Sequence, residues 1–109
     1  MKNSHVKKKN SKWALNLYVA GKTHRAITAF RNLKLICEEQ IKGNYHIEVI
    51  DILKHPELAR SEQIIALPTL VRKSPLPTKS IIGDLSDREV ILVGLGITEP
   101  NPYKMHHSF

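Results

Sequence analysis

Trp13, Leu15, Leu17 and Val19 alternate with Ala14, Asn16, Tyr18 and Ala20. This period of two limits the fold more than any other feature, because it gives a strand one apolar face that another layer must cover. The covering layer follows in the chain. Gly21 and Lys22 break the alternation, and Thr23 can accept a backbone hydrogen bond as an N-cap. Ala26, Ile27, Phe30, Leu33, Cys37 and Ile41 then recur at helical spacing, up to a stop at Gly43. From Tyr45 to Asp51, Ile47, Val49 and Ile50 stand with His46 and Glu48 in a second strand. Strand, helix and strand predict a parallel, right-handed βαβ unit with its helix on one face of the sheet.

The second half is patterned less firmly. Pro56 suits the first position of a helix, and Leu58, Ala59, Ile64 and Ile65 give it a short apolar stripe that stops at Leu67-Pro68-Thr69. Leu70 and Val71 begin a strand. Pro75 and Pro77 lack the N–H that a ladder needs, so Ser74 to Ser80 is expected to be loop. After Ile81 and Ile82, Gly83-Asp84 turns the chain, and Ser86-Asp87-Arg88-Glu89 matches the Ser-x-x-Glu capping box of a helix start. Yet Val90 to Ile97 is rich in β-branched residues and carries Gly94 and Gly96, so propensity favours strand where the cap favours helix. Conflict of this kind narrows the energy gap between alternative packings.

At 109 residues the chain suits one domain. Its net charge of +7 raises the question of nucleic acid. Five lysines in the first twelve residues account for most of it and leave +2 for residues 13–109. The expected organisation is a disordered basic arm at 1–12, a folded body at 13–99 and a flexible tail at 100–109. Arg25, Arg31 and Lys34 share one helix without an outward aromatic partner, so no specific nucleic-acid interface is predicted. Cys37 is the only cysteine, which excludes an internal disulfide or a Cys-x-x-Cys motif and suits a reducing compartment. No segment reads as a signal peptide or a membrane span, so a cytoplasmic location is expected.

Catalytic and cofactor motifs fail on spacing. Gly21-Lys22-Thr23 lies between strand and helix, but the glycine that a phosphate loop needs five positions earlier is Asn16. His24, His46, His55, His106 and His107 lack zinc-type spacing. Glu38 and Glu39 are adjacent on a helix and read as a solvated face. Cys37, on the apolar stripe, reads as a buried small hydrophobe, and a thiol-dependent oxidoreductase is the weaker alternative. No enzyme, metal or cofactor is predicted.

Four blocks carry a resemblance: Leu17-Tyr18-Val19-Ala20-Gly21, Val49-Ile50-Asp51-Ile52-Leu53-Lys54, Leu67-Pro68-Thr69-Leu70 and Ile81-Ile82-Gly83-Asp84-Leu85-Ser86. Together they resemble the KaiB family of circadian-clock proteins over Trp13 to Ile97. The resemblance implies an α/β fold with a thioredoxin-like βαβ first half and a second half that switches fold. It implies a resting homotetramer, expected here as the packing the structure would show, and a thioredoxin-like monomer that binds partners. Leu67-Pro68-Thr69 looks like the family's cis-proline turn. Pro68, Pro75, Pro77, Gly83, Asp84, Gly94 and Gly96 are the turn and switch residues it points to, with prolyl isomerisation a fitting source of slow switching.

The implied function is non-enzymatic regulation of biological rhythms by binding a KaiC-like ATPase and modulating its phosphorylation cycle, with a KaiA-like protein as a further partner. The alternative is an adaptor in stress-response signalling that binds a histidine kinase sensor domain. Arg31, Glu48 and Lys79 are the expected partner contacts. The sequence departs from the family at His24, often proline there, and at Glu48, where relatives tend to carry lysine. It also lacks their acidic tail.

Overall fold

The structure, a computed structural model, describes residues 12–98. The expected arm and tail therefore lie outside the described residues, apart from Lys12. The elements in chain order are β1 (Trp13–Val19), α1 (His24–Gln40), β2 (Tyr45–Asp51), α2 (Glu57–Ser61), β3 (Thr69–Ser74), β4 (Lys79–Ile82) and α3 (Arg88–Gly94). The four strands form one sheet in the order β2-β1-β3-β4. β1 pairs parallel to β2, antiparallel to β3, and β3 pairs antiparallel to β4.

The parallel pair is the predicted βαβ unit, with Trp13 opposite Tyr45 and Val19 opposite Asp51. Leu15, Leu17 and Val19 point to one face, where they meet Ala26, Ala29, Leu33, Ile36 and Cys37 of α1 and Ile91 of α3. Each fully buried leucine of this cluster contributes about 1.5–3 kcal/mol of apolar transfer. Tyr18 is buried on the opposite face, where its hydroxyl accepts from Asn16 Nδ2 at 3.2 Å. There Lys73 of β3 pairs with Glu62, just beyond α2, at 2.8 Å.

Several local expectations change. The buried stripe of α1 runs through Ala29 and Ile36, while Ile27 and Phe30 are exposed. The helix ends at Gln40 rather than Gly43, with Ile41 N and Lys42 N both donating to the Cys37 carbonyl. α2 stops at Ser61, so Ile64 and Ile65 lie outside it, and Pro56 is its N-cap residue rather than its first helical one.

The Ser74–Ser80 loop is shorter than expected, because Lys79 and Ser80 already pair with Arg72 and Val71. The prolines break the ladder only at the turn between the strands. The Leu67–Pro68, Ser74–Pro75 and Leu76–Pro77 bonds are cis.

The contested segment folds as helix. Its N-cap is Asp87, one residue later than the capping box places it, and the Asp87 side chain accepts from Val90 N at 3.2 Å. Ser86 N donates to Asp84 Oδ1 instead, at 3.1 Å, so the amide that a capping box would hand to Glu89 is already taken. Burial of Ile91 and Leu95 beneath α3 outweighs the β preference of the run, as tertiary packing commonly does. Of the two packings implied by the resemblance, the chain holds the thioredoxin-like one, which corrects the expectation of the resting packing.

Candidate interaction site

At the C-terminal end of β1 the chain turns through Gly21, whose φ of +72° suits a residue without a Cβ. Asp51 fastens this turn: its Oδ1 accepts from Gly21 N at 3.0 Å and from Leu53 N at 2.9 Å. Thr23 then caps α1, its hydroxyl accepting from Ala26 N at 3.1 Å. Across from this turn, Leu67 and Pro68 close a shallow cleft of about 370 Å³ that Val19, Ala20 and Ala26 also line. A helix N-terminus beside such a cleft would activate a thiol placed on the turn. The turn reads Gly21-Lys22-Thr23 and has none.

Cys37 sits elsewhere, fully buried more than three turns along α1. Burial pushes its thiol up to about 12, so it is a protonated core side chain at neutral pH. Among the described residues, no group of three or more His, Cys, Asp or Glu could hold a metal ion. No helix among them is long and apolar enough to cross a membrane.

The edge of β2 is a candidate binding surface. β2 ends the strand order, so one side of its backbone has no partner strand among the described residues. Tyr45, Ile47 and Val49 face α1 by their register with β1, and Val49 is 49% exposed. Exposed Leu53 extends the apolar surface to the Gly21 turn, where it would lie 3.6 Å from a Cβ at Gly21. An open edge beside exposed apolar side chains can accept a partner's strand through main-chain hydrogen bonds.

The near end of this surface is braced by side chains that sequence reasoning left as solvated. Lys34 lies over the Tyr45 ring at 5.4 Å, and the Tyr45 hydroxyl donates to Glu38. Loss of solvent, then the hydrogen bond to Glu38, raises the phenol above its ordinary range. Lys34 thus has an aromatic partner after all. Glu39 pairs with Arg88 at the start of α3, and Asn32 Nδ2 donates to the Asp84 carbonyl at 3.0 Å. These contacts tie α1 to the second half, and no periodicity in the sequence announces them.

The three expected partner contacts are all exposed but do not converge. Arg31 is on the outer ridge of α1. Glu48 is on β2, registered with Asn16 and so on the sheet face away from α1. Lys79 lies on β4, at the other edge of the sheet. Of the turn and switch residues, Pro68 is buried beside the cleft, while Pro75, Pro77 and Gly83 flank β4. The Asp84 carboxyl is held below its ordinary range, first by its hydrogen bond with the Ser86 side chain. Gly94 and Gly96 lie at the C-terminal end of α3, where a Cβ would meet Ile81 or Arg72 at 2.8 Å.

The sheet order and the parallel βαβ unit define a thioredoxin-like fold. The N-terminal domain of Synechococcus elongatus SasA superposes with a TM-score of 0.66 at 20% identity, covering 84% of this chain and 90% of that one. Chloroplastic thioredoxin z superposes with a TM-score of 0.66 at 18% identity, over 89% and 90%.

Sequence comparison narrows the class. The KaiB domain profile matches residues 16–97, and the chain belongs to the KaiB family. It is 49% identical over 85 residues to the circadian clock oscillator protein KaiB of Microcystis aeruginosa, covering 78% of this chain and 82% of that one. Against the Nostoc protein of the same description it is 46% identical over 92 residues, covering 84% and 85%.

Proposed function

We propose that this chain is a non-enzymatic clock-type regulator that binds a KaiC-like ATPase as a thioredoxin-like monomer and thereby modulates the ATPase's phosphorylation cycle. The open β2 edge carries this reading: a family member with no thiol on its turn presents, among the described residues, a strand edge without a partner strand next to exposed Val49 and Leu53. Binding through such an edge takes its affinity from backbone hydrogen bonds and its selectivity from the flanking side chains. A resting homotetramer in which the second half repacks fits the same reading. Partner binding would then draw the population to the packing described above, by as much as the partner's preference for it.

The test is size-exclusion chromatography and fluorescence anisotropy of the labelled full chain with a hexameric KaiC-like ATPase, alongside Val49→Lys. Binding by the natural chain, weakened at least tenfold by the substitution, supports the proposal. Absence of any complex with the ATPase overturns it, and a complex with a histidine kinase sensor domain alone assigns the chain to stress signalling.

A further inference from the structure

Arg72 is the least expected side chain of the core. It is 5% exposed and projects from β3 to the same sheet face as Leu70 and Leu15, where apolar groups otherwise pack. A buried cation calls for a carboxylate, yet no ion pair of Arg72 occurs among the described residues.

Its partners are main-chain carbonyls of two separate segments. Nη1 donates to the Leu95 carbonyl at the C-cap of α3, and Nη2 donates to the Pro77 carbonyl in the β3–β4 turn at 2.7 Å. The guanidinium also lies 5.6 Å from the centroid of the Trp13 ring, at the start of β1. Nε has no hydrogen-bond partner among the described residues.

We infer that Arg72 is a latch that holds the end of α3 and the β3–β4 turn together on β3, beside the Trp13 ring of β1. The chemistry favours that role over simple core filling. A helix C-terminus carries partial negative charge and carbonyls without intrahelical donors, so a guanidinium there replaces the missing carboxylate. The planar fork reaches two carbonyls at once, which a single ammonium on a lysine stem cannot do with the same geometry. The close fit depends on Gly96: its φ is +77°, and a Cβ there would stand 2.8 Å from Nη1.

The latch also explains where the contested segment finds its stability. α3 has only seven residues, too few to hold a helix alone. Its start is tied to α1 by Arg88 and Glu39, and its end is tied to the sheet by Arg72 alone among the ionic side chains described. Removing the guanidinium is expected to free the end of α3 and the turn before it frees β1, α1 or β2. The link to partner binding rests on the function proposed above. The latch itself belongs to the thioredoxin-like packing, with or without a partner.

Hydrogen–deuterium exchange of the full chain as a monomer, verified by size-exclusion chromatography, tests it, with Arg72→Met and Arg72→Lys beside the natural protein. Met fills the volume without donors, and Lys keeps the charge without the fork. Loss of two charge-assisted hydrogen bonds is expected to speed exchange in segments 75–82 and 88–97 by roughly 10- to 100-fold in Arg72→Met. Arg72→Lys is expected to fall between, with α1 and β2 protected in both. Unchanged protection of 88–97 in Arg72→Met would overturn the latch. So would a uniform loss across the whole body, which would make Arg72 a general core residue. Because no partner enters the experiment, its outcome is separate from that of the binding test.

Discussion

One carboxylate oxygen of Asp51, at the end of β2, accepts the amide of Gly21 from the turn that follows β1 at 3.0 Å and the amide of Leu53 at 2.9 Å. Two adjacent parallel strands are thus closed at the same end by a single side chain, and the turn that opens α1 is set by it. Asp51→Ala would leave the Gly21 amide, at a partly buried site, and the exposed Leu53 amide without that acceptor. A loss of about 1–3 kcal/mol is expected in urea unfolding. Asp51→Asn keeps an acceptor oxygen and is expected to recover most of it.

Cap register gives a sharp comparison in the second half. Asp87 accepts from Val90 N, whereas Ser86 is engaged with Asp84. Asp87→Ala is expected to cost about 0.5–2 kcal/mol as a lost N-cap. If the capping box of the sequence had set the helix start, Ser86→Ala would carry that cost instead. Thermal unfolding of the two variants distinguishes them.

The division between what the residues announce and what they conceal follows the physics of each half. β1, β2 and the Thr23 cap are legible because their signals are local: alternation over seven residues and a hydroxyl three positions before the amide it accepts. The stripe of α1 is only partly so. Ile27 and Phe30 have the right spacing for a core, but both are exposed. β4 is hidden because Lys79-Ser80-Ile81-Ile82 is short, half polar and preceded by two prolines, and its pairing with β3 is not encoded at short range. α3 stays ambiguous in sequence because its stability lies in Ile91 and Leu95 beneath it and in Arg72 at its end. At the candidate site, the glycine turn is visible as a motif. The exposed edge beside Val49 appears only once the strand order is known.

Cys37 offers a check on the core and on pH dependence together. Burial raises its thiol from an ordinary value of 9.0 to about 12. The folded protein therefore keeps a proton that the unfolded chain releases first. Its stabilising contribution is complete below pH 9 and declines as pH rises from about 9 through about 12. Urea midpoints measured across that window are expected to fall more steeply for the natural chain than for Cys37→Ala. At pH 8 the native thiol is expected to resist iodoacetamide and to react only on unfolding, and rapid native alkylation would contradict its placement.

Glu48 tests the binding face proposed for β2. It is exposed on the edge strand, on the face away from α1. A rim charge of this kind acts chiefly through association rate and salt dependence, with little effect on the fold. Glu48→Lys is therefore expected to leave the unfolding temperature within the spread of ordinary surface substitutions. It should also speed association with a KaiC-like ATPase whose own KaiB carries lysine, by several-fold at low salt and less as salt is raised. Stopped-flow binding at two salt concentrations measures both. An unchanged association rate would remove Glu48 from the proposed interface and leave Val49, on the α1 side of β2, as the position that tests it.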